Sequence, residues 1–152
     1  MNAVVAGCGW AGEIHAEVYH HHSNTQLVAV CDPDIDKAKT LADRLDCQAY
    51  STLEDLLQSE KVEIASLAST TDTHVRLGKL LIEENVPVLC EKPLSDDLRG
   101  ARDLVESATS RNLPLGTNFN RRYASGYQLA RERMSESGRV HFLSSILAQN
   151  VP

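Results

Sequence analysis

The chain has 152 residues, enough for one domain of ordinary size with its own hydrophobic core. Its 42% hydrophobic and 24% charged residues are typical of a globular protein and exclude disordered, collagen-like and coiled-coil chains. The net charge of −6 argues against nucleic acid or an anionic membrane as the main partner. No segment approaches the roughly 20 apolar residues of a membrane span. The four cysteines are scattered in apolar runs, as in proteins of a reducing compartment, so we expect a cytoplasmic protein.

Short apolar runs rich in β-branched residues alternate with longer amphipathic segments, which is the pattern of βα units in a parallel sheet. Strands are predicted at residues 3–6, 27–31, 47–50, 62–68, 87–90 and 115–118, with helical segments between them. The predicted fold class is α/β, a Rossmann-type doubly wound parallel sheet with helices on both faces. Ser51 followed by Glu54 forms a capping-box pattern at the start of the third helix.

The last apolar segment, residues 140–147, has the pattern of a strand. A strand needs neighbouring strands, because an open apolar edge favours aggregation. We therefore predict a Rossmann domain over residues 1–138 and expect residues 139–152 to be the opening strand of a second domain that is missing or truncated.

The first predicted strand runs directly into a G-x-G-x-x-G sequence that opens a helix, Gly7-Cys8-Gly9-Trp10-Ala11-Gly12. In this motif the first glycine allows a tight turn, the second lets a pyrophosphate approach the backbone, and the third allows close packing of helix and strand. Free amides at the helix start then bind the phosphates without a lysine. The flanking strand and helix favour a dinucleotide-binding loop over a purely structural turn. Candidate cofactor contacts are Gly7, Gly9, Trp10, Ala11 and Gly12; Trp10 is either a shelf beside the pyrophosphate or a packed residue.

Asp32 ends the second predicted strand, 20 residues after Gly12, as expected of the acid that binds the adenosine ribose. Its carboxylate can accept hydrogen bonds from both ribose hydroxyls and would repel a 2′-phosphate, so we expect NAD(H) rather than NADP(H). The nearest basic residues, Lys37 and Lys39, lie in the following helix, outside the usual position for holding that phosphate. Asp32 can also act as a plain helix cap, alone or in addition.

The fifth predicted strand ends in Glu91-Lys92-Pro93. Ligands of open parallel sheets bind beyond the carboxyl ends of the strands, so this charged pair faces the cofactor crevice. Pro93 restricts Lys92 to extended geometry. A lysine beside a nicotinamide can hydrogen-bond a substrate hydroxyl and share its proton as hydride leaves. Taken alone, the triplet is more often a surface turn.

Several segments together resemble the Gfo/Idh/MocA family, which includes glucose-fructose oxidoreductase and inositol dehydrogenase. These are GCGWAG at 7–12 with Asp32, ASLASTTDTH at 65–74, CEKPL at 90–94 and NFNRRY at 118–123. The resemblance covers essentially the whole chain in order, and the Glu-Lys-Pro turn is its most specific part. It implies a two-domain, usually homo-oligomeric, NAD(P)-dependent oxidoreductase acting on a small molecule, a sugar, polyol or related hydroxy or keto compound.

The resemblance also implies roles for individual residues. Lys92 matches the family's catalytic lysine, and Glu91 matches its neighbour near the nicotinamide. Ser69 and Thr70 stand in the loop that passes the cofactor, where family members often have a proline. His74 matches a histidine that opens the next helix, in either a structural role or direct contact with cofactor or substrate.

Asn120 and Arg122 fit the family's polar loop after the sixth strand, although Arg122 could equally belong to a solvated turn. In this family a second domain supplies an Asp and a His that complete the proton relay, and no segment here matches them. A non-catalytic dinucleotide-binding sensor or regulatory protein, or an inactive truncated fragment, is therefore the alternative to an enzyme. No metal site is predicted, and His15 in the first helix is interpreted as a packed residue rather than a ligand.

Overall fold

The structure, a computed structural model, describes residues 1–136 and 138–139, and the chain divides into two compact units, Met1–Asn118 and Phe119–Pro152. The first unit contains the β-sheet. Its strands are β1 (Asn2–Ala6), β2 (Gln26–Cys31), β3 (Gln48–Tyr50), β4 (Ile64–Leu67), β5 (Val88–Cys90) and β6 (Leu115–Thr117). Its helices are α1 (Trp10–His21), α2 (Ile35–Leu45), α3 (Leu53–Ser59), α4 (Thr71–Glu83) and α5 (Leu98–Ser110).

All strand pairs are parallel, and the strand order is β3-β2-β1-β4-β5-β6. This is the Rossmann order, in which the winding reverses between β1 and β4. Ala6 at the end of β1 pairs with Cys31 of β2 and Leu67 of β4. The loops that follow these strands therefore meet at one edge, which confirms the predicted fold class and its doubly wound sheet.

Alternation along the central strand separates two hydrophobic cores. Ala3 and Val5 belong to the core that includes α1 and α2 residues, whereas Val4 and Ala6 belong to the core that includes residues of α3, α4 and α5. All four side chains are fully buried or nearly so. Helices on both faces explain why β1 is a continuous apolar run rather than an alternating one.

Side-chain caps begin three of the helices. Asp34 accepts a hydrogen bond from the Lys37 amide at α2, and Asp97 accepts one from the Gly100 amide at α5. At α3 the cap is Thr52, whose hydroxyl accepts from the Asp55 amide at 3.1 Å. The predicted capping box of Ser51 is therefore wrong by one residue, because the adjacent Thr52 and Asp55 supply the same chemistry.

The second unit, by itself, contains a short 3₁₀ helix (Asn120–Tyr123) and α6 (Ser125–Glu136). The first unit thus ends 20 residues before the predicted boundary at 138. The strand predicted over 140–147 lies outside the described residues. None of the helices in the described part of the chain combines the length and apolarity needed to span a bilayer.

Candidate functional site

A cavity of about 520 Å³ opens at the carboxyl ends of β1, β2 and β4. Its volume lies within the roughly 300–1,000 Å³ that is usual for small-molecule sites. Five of the predicted site residues line it together, namely Gly7, Gly9, Asp32, Ser69 and Thr70. The cavity therefore lies at the crevice where a doubly wound sheet binds its ligand.

The glycine loop is shaped by close backbone packing. Gly7 has φ of +100°, and a Cβ there would lie 2.5 Å from the Ala68 carbonyl oxygen. A Cβ on Gly12 would overlap the Gly7 carbonyl oxygen, so this glycine lets α1 approach the loop. At Gly9, by contrast, a Cβ would meet nothing within 4 Å. The space over Gly9 is open, as a group that approaches the backbone requires.

Asp32 ties the glycine loop to the end of β2. Its Oδ2 accepts a hydrogen bond from the Cys8 amide at 2.8 Å, and its Oδ1 accepts one from the Asp34 amide at 2.9 Å. Asp32 does not cap α2, since Asp34 fills that role. A carboxylate has about four acceptor sites, so each Asp32 oxygen can accept another hydrogen bond from a ligand.

Two basic side chains also line the cavity. Lys37 pairs with Asp34 at 3.4 Å, and Arg76 pairs with Glu54 at 2.9 Å. The sequence predicted that Lys37 lies away from the position that would hold a 2′-phosphate. In the structure the first turn of α2 instead brings Lys37 to the same cavity as Asp32. The ion pairs give each of these cations a carboxylate partner within the protein.

His74 lies at the start of α4 and is only 1% exposed. Its Nδ1 lies 2.9 Å from the Pro93 carbonyl oxygen and its Nε2 lies 3.1 Å from the Ser69 carbonyl oxygen. The ring thus joins the loop after β4 to the turn after β5. This geometry favours the structural role over direct contact with a ligand.

The Glu91 carboxylate is held at the end of β5 by polar groups from three directions. Its Oε1 accepts a hydrogen bond from Asn118 Nδ2 at 2.6 Å and lies 3.1 Å from His15 Nε2, and its Oε2 accepts from the Lys92 amide at 3.2 Å. Burial raises the pKa of the Glu91 carboxyl, but these hydrogen bonds outweigh burial and hold the pKa below its ordinary value. Glu91 is therefore a carboxylate at neutral pH.

Lys92 follows Glu91 with an exposed side chain, and its peptide bond to Pro93 is cis. Within the described residues, no carboxylate lies at ion-pair distance from its ammonium group. The Lys92 ammonium can therefore donate hydrogen bonds to a ligand beyond the end of β5.

The remaining predicted contacts lie elsewhere. Trp10 is 80% exposed at the start of α1, which excludes a packed core role, and Ala11 beside it is half-buried. Asn120 and Arg122 are exposed residues of the second unit, where the Arg122 guanidinium stacks 5.6 Å from the centre of the Phe119 ring. Across the described residues, no group of three or more His, Cys, Asp or Glu is placed to hold a metal ion.

The sequence did not predict the polar side chains that are hydrogen-bonded to Glu91, directly or in a line through His15, namely Tyr19, Ser66 and Asn118. It also did not predict that His15 belongs to this hydrogen-bonded group. His15 was expected to be packed, and it is buried. Two signals were available: Ser66 interrupts an apolar strand, and His15 and Tyr19 are four residues apart on one helix face.

The strand order and the glycine-rich turn beside the cavity place this chain in the class of dinucleotide-binding Rossmann domains. The sequence over residues 1–119 matches the Gfo/Idh/MocA family model, described as an oxidoreductase family with an NAD-binding Rossmann fold. The chain belongs to this family.

Its relatives include the inositol 2-dehydrogenase of Rubrobacter xylanophilus, 36% identical over 90% of this chain and 40% of the relative. Inositol 2-dehydrogenase 4 of Saccharopolyspora erythraea is 35% identical over 81% of this chain and 37% of the relative. Among solved structures, GenD2 from gentamicin A biosynthesis, in complex with NAD, has a TM-score of 0.86 at 29% identity, over 90% of this chain and 39% of GenD2. The chain spans about 40% of the length of the curated relatives that it matches.

Proposed function

We propose that this chain binds NAD(H) and forms the cofactor-binding part of an oxidoreductase that acts on a hydroxyl or keto carbon of a sugar or polyol. The observation that carries the proposal is the arrangement of the open backbone at Gly9 and the Asp32 carboxylate around one cavity. The inositol dehydrogenases among its relatives support the substrate class.

The residues around the cavity fit a dinucleotide. Amides in the first turn of α1 have no acceptor within the helix and can bind a pyrophosphate over Gly9. The free acceptor sites of Asp32 suit two ribose hydroxyls, and its charge opposes a 2′-phosphate. Lys37 and Arg76 are already paired with carboxylates, so NAD(H) is proposed over NADP(H).

Lys92 is the proposed catalytic residue. Bound NAD(H) supplies a nicotinamide carbon that accepts or gives hydride. Lys92 follows the end of β5, where its ammonium can donate a hydrogen bond and a proton to a keto oxygen, and its neutral amine can accept the proton of a hydroxyl in the opposite direction.

The other predicted contacts are proposed in weaker roles. Ser69 and Thr70 border the cavity after β4, and the exposed ring of Trp10 can cover the pyrophosphate side of the loop. Asn120 and Arg122 remain proposed contacts from the second unit. A second domain that completes the substrate site is proposed from the greater length of the relatives.

The test is a titration of the 152-residue chain with NADH and with NADPH, by calorimetry and by Trp10 fluorescence. We expect saturable NADH binding in the micromolar to sub-millimolar range and weaker NADPH binding. Gly9→Val should abolish binding, because its side chain would extend into the open space over the loop, where a Cβ meets no protein atom within 4 Å.

Gly9→Ala and Gly116→Ala form a matched pair. A Cβ on Gly116 lies 3.5 Å from a Leu89 methyl group in β5, an ordinary contact away from the cavity. Gly116→Ala should therefore keep NADH affinity, whereas Gly9→Ala should weaken it. Gly9 is the N-cap residue of α1, where alanine in place of glycine should cost about 1 kcal/mol or less of stability. Thermal unfolding of Gly9→Ala should therefore show that the fold is kept. Absence of a saturable NADH response in the unmodified chain, or full affinity in Gly9→Val, would overturn the proposal.

A further inference from the structure

A line of buried side chains runs from helix α1 to the turn after β5. The Tyr19 hydroxyl lies 2.9 Å from Ser66 Oγ, which in turn lies 2.9 Å from His15 Nδ1. On the other side of the ring, His15 Nε2 lies 3.1 Å from Glu91 Oε1. Tyr19, Ser66 and His15 are all buried. Buried polar groups cost free energy unless they are hydrogen-bonded, so each donor in this line needs an acceptor.

When the His15 ring is neutral, the charge on Glu91 determines the direction of every hydrogen bond in the line. A carboxylate only accepts, so the His15 Nε2 must carry the proton and donate it. In a neutral imidazole Nδ1 then accepts from the Ser66 hydroxyl, whose oxygen accepts from Tyr19. Each hydroxyl and each ring nitrogen has one defined role.

The opposite tautomer would break this pattern. Asn118 Nδ2 also lies 3.2 Å from His15 Nε2 and could donate to it if Nδ1 carried the proton. The lone pair of Nε2 would then face the Glu91 carboxylate at 3.1 Å with no proton between them. With Nε2 protonated, His15 and Asn118 are instead two donors that converge on the same carboxylate oxygen.

We infer that His15 is a positioning residue: its Nε2–H fixes the Glu91 carboxylate, and Glu91 fixes the backbone of Lys92 through the Lys92 amide. The inference rests on the proposed function, in which Lys92 acts on the substrate. His15 touches no part of the cavity surface and acts only through Glu91. The fixed carboxylate joins α1 and the end of β6 to the turn that carries the lysine.

The first measurement uses the unmodified 152-residue chain without cofactor. A long-range proton–nitrogen NMR spectrum of the histidine rings reports which ring nitrogen carries the proton. We expect His15 to be in the Nε2–H form at neutral pH. A ring that carries its proton on Nδ1 alone would overturn the inference, and this result does not depend on whether any variant folds.

A pair of substitutions then separates positioning from packing. In His15→Gln the amide nitrogen can occupy the place of Nε2 and donate to Glu91, whereas the shorter His15→Asn reaches only the place of Nδ1 beside Ser66. The NMR shift of the Lys92 amide proton is the readout. It should move in His15→Asn toward the value seen in Glu91→Gln, and it should stay near the unmodified value in His15→Gln.

Equal shifts in the Gln and Asn variants, or a Lys92 amide that does not respond to His15→Asn, would show a packing role and overturn the inference. NADH titration of the same samples tests the proposed function separately. If NADH fails to bind while the Lys92 amide follows the expected order, the proposed function fails and the network stands. If NADH binds but the order is not seen, only the inference fails.

Discussion

Replacement of Asp32 by Asn tests the proposed ribose site most directly, because it changes one oxygen of a carboxylate that holds two backbone amides and is proposed to accept hydrogen bonds from the ligand. In the protein Asp32 accepts the Cys8 amide at 2.8 Å and the Asp34 amide at 2.9 Å, one on each oxygen. An asparagine keeps one accepting oxygen and turns the other into a donor. One backbone amide, and one ribose hydroxyl of the proposed ligand, would therefore lose their acceptor.

The expected loss of NADH affinity can be estimated from the negative charge of the Asp32 carboxylate. A hydrogen bond to a charged group contributes about 1.5–3 kcal/mol. At about 1.4 kcal/mol for each factor of ten, loss of one such bond weakens NADH binding by about 10- to 100-fold. NADPH should lose less affinity or gain some, since Asp32→Asn also removes the negative charge that opposes its 2′-phosphate. The preference for NADH over NADPH should therefore shrink.

The assay is calorimetric titration of the chain and its variants with both cofactors, alongside thermal unfolding. Asp34→Asn is the matched control, because it removes the same charge two residues away and asparagine caps a helix as well as aspartate does. It breaks only the exposed pair with Lys37, so the NADH Kd should change by less than about fivefold. The reasoning is refuted if Asp32→Asn binds NADH as tightly as the unmodified chain, or if Asp34→Asn weakens binding equally.

Two further predictions concern titrating groups. The pKa of Glu91 lies below its ordinary value of 4.5 in the folded chain, so Glu91 stabilises the fold above that pH and the contribution is lost as the pH falls through the lowered pKa. The stability difference between the unmodified chain and Glu91→Gln, from urea unfolding, should therefore be largest near neutral pH and shrink as the pH falls through the lowered pKa of Glu91; a difference that is constant with pH contradicts this. Burial raises the pKa of Cys8, Cys31 and Cys90 to about 12 and that of Cys47 to about 11. The folded chain should hence react slowly with a thiol reagent at pH 8, and four thiols should react at once after unfolding; fast labelling of Cys8 in the folded chain would contradict the assignment.

The sheet could be predicted from the sequence because its signals are local. Each strand is a short apolar run between helical segments, and Gly7 and Asp32 mark the ends of the first two. The glycine pattern also predicted the packing of the loop correctly, since the roles of Gly7 and Gly12 depend on backbone geometry within a few residues.

Other features of the site depend on contacts that periodicity cannot reveal. The Asp32 carboxylate meets an amide 24 residues away, and His15 meets Glu91 across 76 residues. The capping error at Ser51 has a different cause, because two neighbouring hydroxyl residues offer the same cap and the pattern does not choose between them. The sequence also could not predict whether Trp10 is buried or exposed, because the burial of an aromatic residue at this position depends on its tertiary neighbours.

Helix α1 links the two halves of the site. Its first turn supplies the amides that are proposed to bind the phosphates, and His15 lies only three residues after Gly12, about 4.5 Å further along the helix axis. Gly12 lets the helix sit directly against the Gly7 carbonyl, and a side chain there would push α1 outward. Such a displacement would move the phosphate-binding amides and would also lengthen the 3.1 Å contact between His15 and Glu91. The third glycine of the loop therefore fixes the depth of α1 both at the proposed cofactor site, at the N-terminus of the helix, and at the Glu91–Lys92 turn, which His15 contacts one helical turn later.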